Sequence, residues 1–158
     1  MLSQNNSLLE YQIKFCRERL KPTLNHSLEL APEDKLNWAP AEKMITLGNV
    51  FLHICECSDG WYDEVMKGKK AIELAFADKP CLPKEKIKHY LKLHWERMER
   101  FFADSSEVLS KTYPIEHEGK THSLDGYWIF THLLEHDIHH RSQINQYLRI
   151  LGIKPPEK

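Results

Sequence analysis

Apolar residues recur at three- and four-residue spacing in four stretches of the chain, with prolines and glycines between them. That spacing is the signature of amphipathic helices, each burying one face. The first stretch runs from about Ser7 to the mid-twenties and carries Leu9, Ile13, Cys16 and Leu20, with Pro22 at a bend or end. A connection from Leu28 to Pro40 follows, in which Ala31 to Leu36 suits a short helical turn. The second helix is expected to start after Pro40 and reach about Gly68, with Leu47, Phe51, Ile54, Trp61 and Val65 on its inner face. The third begins near Pro83, a favoured first-turn residue, and carries Ile87, Leu91, Met98 and Phe101. Pro114 and Gly119 oppose helix between Thr112 and Ser123, so a short hairpin or irregular excursion is expected there. The fourth helix spans about Leu124 to Leu151 and stops at Gly152, ahead of Pro155 and Pro156.

Four amphipathic helices in 158 residues predict an all-α fold, a four-helix bundle forming a single domain over residues 1–158. There is no repeat and no linker long enough to divide it.

The fourth helix departs from a plain core pattern. Ile129, Leu133, His136, His140, Gln143, Tyr147 and Leu151 fall on one face, so polar side chains interrupt the middle of its apolar stripe. Unpaired polar groups are costly to bury, which asks for a use. His136 and His140 are one turn apart, with about 6 Å between their Cβ atoms, and one metal ion can bridge such a pair. A hydrogen-bonded core pair is the competing explanation. His139 and His132 project to the flank of the stripe and suit rim positions, while His117 and His122 show no pattern.

Two histidines make an incomplete site, since catalytic metal sites commonly use three protein ligands. His53, on the edge of the second helix's stripe, offers a third ligand. His94, in a core slot of the third helix, competes for the same role, and the spacing leaves both open.

Composition narrows the class. The apolar share of 41% and charged share of 28% are those of a globular protein. A net charge of −1, from 22 basic and 23 acidic residues, argues against a broad nucleic-acid-binding surface. No apolar run approaches the roughly 20 residues of a membrane helix. The first seven residues lack the features of a secretory signal, so a cytoplasmic location is expected. Cys55 and Cys57 lie two apart on a helix, where side chains diverge by about 160°. With Cys16 and Cys81 they read as reduced, mostly structural thiols, although Cys57, four residues from His53, could line the same cavity.

Three segments together carry a family resemblance. His136-Asp137-Ile138-His139-His140-Arg141-Ser142-Gln143 resembles the His-x-x-x-His-Arg-Gly-Gln signature of the DinB/YfiT-like superfamily, with Ser142 in place of the usual glycine. Thr46 to Ile54 resembles that superfamily's segment around its helix-two histidine, and Leu36-Asn37-Trp38-Ala39-Pro40 its motif before that helix. The likeness covers about Leu20 to Gly152. It implies a four-helix bundle with a long crossover, often a homodimer, and a metal triad of His53, His136 and His140 holding zinc or nickel. It further implies a small-molecule substrate, with thiol S-transferase chemistry on a low-molecular-weight thiol or hydrolysis as the reaction. A thiol brought to such an ion is readily deprotonated and becomes a nucleophile at neutral pH. No general base stands out, and Tyr147 and Glu56 are the weak catalytic candidates. A non-catalytic metal-binding or stress-response module, its structural site closed by His94, is the alternative. A metal-free polar layer specifying helix register is a third reading.

Overall fold

The computed structural model describes residues 2–69 and 80–157. The described residues are mostly helical, with one two-stranded antiparallel sheet among them. Helix α1 (Leu2–Phe15) passes through a wide π-turn at Cys16–Leu20 directly into α2 (Lys21–Leu30). Pro22, expected at a bend or end, follows this wide turn, and the helix runs past the mid-twenties to Leu30. Proline lacks an amide hydrogen and its ring collides with the carbonyl four residues back. The π-turn spreads the chain just ahead of that collision, and the Lys21 amide bonds to the Cys16 carbonyl five residues back.

The expected helical turn in the connection is a 3-10 turn at Glu33–Lys35. Helix α3 begins at Leu47, several residues later than Pro40 would suggest, and runs to Ser58. The reason lies in its first free amides. Leu47 N–H donates to the Trp38 carbonyl (2.9 Å) and Gly48 N–H to the Leu36 carbonyl (2.9 Å), so extended chain caps the helix. The rod continues through a second π-helical stretch, Asp59–Met66.

Helix α4 (Lys84–Phe102) starts one residue after Pro83 and is followed by a five-residue helix, α5 (Ser106–Ser110), which the apolar pattern did not suggest. Strands β1 (Thr112–His117) and β2 (Lys120–Asp125) form a hairpin where a short hairpin or irregular excursion was expected before the last helix. His117 pairs with Lys120 across Glu118 and Gly119, which have φ of 50° and 73°. Positive φ at both central residues is the tight turn that matches strand twist.

Helix α6 (Gly126–Ile150) is capped by the Asp125 side chain, which accepts from the Trp128 amide at 2.8 Å. A Cβ on Gly126 would lie 2.7 Å from the Leu109 Cα, so glycine alone permits α6 to start against α5. Both α2 and α3 pack against α4 and α6. The enclosed core includes Leu20, Leu24, Phe51, Ile54, Ile87, Met98, Ile129, Leu133 and Leu148. Among the described residues no helix is long and apolar enough to cross a membrane.

Candidate metal centre

Helix α3 brings His53 to the flank of α6 that carries His136 and His140. The side-chain donor atoms of the three histidines all lie within 4.8 Å of one another. Their ring centroids are 4.8 Å apart for His53 and His136, 4.9 Å for His53 and His140, and 4.3 Å for His136 and His140. His136 Nε2 faces His53 Nε2 at 3.1 Å. Two imidazole nitrogens bound to one ion at about 2.1 Å stand roughly 3 Å apart, so this spacing suits a shared ligand point.

Protonation suits it too. Burial, followed by the neighbouring His136, lowers the pKa of His53. His140 is pushed down to about 4, chiefly by burial; a hydrogen bond with Gln143 opposes the shift and the neighbouring histidines add to it. Metal ligation requires neutral imidazole, and these two rings are held in that form at neutral pH.

Each α6 histidine is backed differently. Gln143 Oε1 lies 2.8 Å from His140 Nδ1, and the Gln143 amide donates to the Tyr147 hydroxyl at 3.1 Å. Tyr147 in turn donates to the Ile45 carbonyl at 3.0 Å. His140 Nδ1 is engaged in this chain, which leaves Nε2 for the centre. Tyr147, a weak catalytic candidate on sequence grounds, is buried, with its hydroxyl tied into the support of His140.

Behind His136 stands Asp137, fully buried, with Oδ1 3.6 Å from His136 Nδ1 and Oδ2 3.0 Å from His94 Nε2. Burial alone would raise the Asp137 carboxyl; His94 and His136 outweigh it and hold the group below its ordinary value, as a carboxylate. His94 Nδ1 lies 2.8 Å from Ser58 Oγ, which also accepts from Arg97 Nη1 at 3.0 Å. Arg97 donates from Nε to Asp63 (2.7 Å) and from Nη2 to Asp59 (3.1 Å), and Asp63 is bonded again by Arg100. Both ring nitrogens of His94 are therefore engaged away from the centre. His94, which the spacing left open as a ligand, belongs to a buried polar column behind His136, and the structure brings His53 to the cluster instead.

Beside the centre stands a group of aromatic rings, with His132 6.2 Å from His136 between centroids. Trp128 stacks on His132 at 5.0 Å between centroids, and Trp61 meets both, at 5.4 Å and 5.2 Å. His132 is half-buried and His139 exposed, as expected of rim positions. Glu56, the other weak catalytic candidate, has Oε2 3.8 Å from His53 Nδ1, and burial followed by Asp59 raises its pKa. Cys57 is half-buried, its thiol pushed up to about 12 by burial, then Asp137 and Glu56. A thiol so shifted is not a nucleophile at neutral pH.

Sequence reasoning named the three histidines that the structure groups together, but not the column behind them. Asp137 stood beside His136 inside the quoted signature, and the complementary pairs Asp59/Asp63 and Arg97/Arg100 at helical spacing were the available signal.

A small, mostly helical protein with a three-histidine group able to hold a metal ion is thus defined by fold and site. The DinB family model matches residues 1–158, and the chain belongs to that family. Solved structures that share the fold include two DinB-like proteins. A DinB-like protein from Bacillus cereus is 16% identical with a TM-score of 0.69, over 92% of this chain and 95% of that one. A DinB-like protein from Bacillus subtilis is 19% identical with a TM-score of 0.64, over 87% of this chain and 90% of that one. No curated protein matches the chain.

Proposed function

We propose that this protein binds one divalent metal ion, zinc or nickel, through His53, His136 and His140, and acts as a metal-dependent enzyme on a small molecule. The observation that carries the reading is the convergence of three imidazoles from two helices, with donor atoms within 4.8 Å. The ion would supply Lewis acidity and lower the pKa of a thiol or water brought to it, which suits S-transfer or hydrolysis. The chain's own part is to hold neutral nitrogens toward one point, and to offer Trp61 and Trp128 as an apolar wall against which a substrate could lie. Glu56 stands beside His53, its carboxyl raised chiefly by burial.

The alternative, a structural metal module closed by a fourth histidine, is weakened because both nitrogens of His94 are engaged elsewhere. The reading carries with it the four-helix bundle of the family, formed by the α1–α2 rod, α3, α4 and α6. It also carries a cytoplasmic setting, which the four free thiols suit.

The test is metal analysis of protein purified without an affinity metal and then exchanged against zinc or nickel. About one equivalent is expected in the parent, and none retained by His136→Ala after the same exchange. Full retention by His136→Ala, or none by the parent, would overturn the proposal.

A further inference from the structure

The polar column behind His136 is unusual for its setting. Asp137 and His94 are fully buried, and Arg97, Asp59 and Asp63 nearly so, in the midst of an apolar core. Burying charged groups costs more than packing apolar ones of similar volume, even where the charges are paired. The column ends at the carboxylate oxygen facing His136 Nδ1, and that histidine's other nitrogen faces His53. Among the described residues neither Asp137 Oδ1 nor His136 Nδ1 has a hydrogen-bond partner, and the two face each other at 3.6 Å.

The geometry points to Asp137, held in place by His94, as a positioning residue that sets the tautomer and ring orientation of His136. A carboxylate only accepts hydrogen bonds, so it keeps the His136 proton on Nδ1 and leaves the Nε2 lone pair directed at the centre. The other Asp137 oxygen is fixed by His94 Nε2, and His94 is fixed by Ser58, on which Arg97 also bears. Rotation of the carboxylate away from His136 would break these bonds in series. Carboxylates behind metal-binding histidines also raise ligand basicity, and their loss typically weakens metal binding about 10- to 100-fold. His94 thus serves the centre without touching the ion. The inference rests on the three-histidine reading of the preceding section.

Two measurements test it. The first needs no metal: long-range proton–nitrogen NMR of the imidazoles in metal-free parent protein near neutral pH. His136 is expected as the Nδ1–H tautomer, and finding its proton on Nε2 would overturn the inference. The second is zinc affinity by competition with a chromophoric chelator, with thermal melting alongside to confirm folding. Asp137→Asn, close in shape, is expected to weaken binding roughly tenfold, the lower end of that range because an amide oxygen can still accept. His94→Leu should lose affinity although it removes no ligand, while His94→Gln, which keeps a donor for Asp137, should recover most of it. Parent-like affinity in both Asp137→Asn and His94→Leu would overturn the positioning role. If the parent itself binds no zinc, the three-histidine reading fails, and the tautomer measurement still decides the role of Asp137.

Discussion

His136 and His140 sit one turn apart on α6 and are backed by opposite chemistries. Behind His136 lies a charged, buried series in which Asp137, His94, Ser58, Arg97 and Asp63 tie α6 to α3 and α4. Behind His140 lies a neutral chain of Gln143, Tyr147 and the Ile45 carbonyl, which ties α6 to the segment leading into α3. On the charged side, removing Arg97 leaves carboxylates in the core with one cation fewer. On the neutral side, a lost bond strands only a dipole. The difference teaches that the site has a rigid flank, built into the core, and an adaptable flank beside a loop.

The sharpest way to break this asymmetry is at Arg97. Arg97→Met would leave Asp59 and Asp63 buried with one cation fewer, and should destabilise the fold by about 3–5 kcal/mol in urea denaturation. A loss below about 1 kcal/mol would place the two flanks on equal footing.

A smaller effect is expected from acid. Burial alone would raise the Asp63 carboxyl, but hydrogen bonds from Arg100 and Arg97 outweigh it and hold the group below the ordinary carboxylate value. A carboxyl depressed in the folded state contributes stability that is present above its unfolded pKa, about 3.9, and lost as pH falls through the folded one. The urea midpoint of the parent should therefore drop below about pH 4, and Asp63→Asn should lack that component. An identical acid profile in the two proteins would count against the ionised pair.

The smallest effect belongs to the neutral flank. Tyr147→Phe removes the bond to the Ile45 carbonyl and should cost about 1 kcal/mol. Zinc affinity should stay within a few-fold of the parent, and a loss as large as that of Asp137→Asn would erase the distinction.

Much of this was legible in the amino-acid order, though unevenly. The pairing of His136 with His140 followed from helical spacing, and the choice of His53 over His94 came from the family likeness rather than from periodicity. The column escaped because adjacent helical residues point about 100° apart, so a stripe drawn through His136 excluded Asp137. The buried arc of α6 is wider than that stripe, taking in Phe130, Leu134, Asp137, Ile144 and Leu148 as well. Charged residues such as Arg97 and Asp63 read as solvated until their partners on another helix are known, and only the fold supplies those partners. Helix ends were misplaced where backbone groups are satisfied by distant chain, as at Leu47, and the first rod runs past the mid-twenties to Leu30 beyond the wide turn that precedes Pro22.

That wide turn at Cys16–Leu20 also acts as a phase adjuster for the whole first rod. It holds about one residue more than an α-turn would, and so sets the angular relation between the halves on either side of it. Closing that turn into an unbroken α-helix with every residue kept would swing α1 through about 100° relative to α2. Leu9 and Ile13 would then leave the apolar surface against which they rest. The length of this segment is thus a coded quantity in its own right, independent of which side chains occupy it.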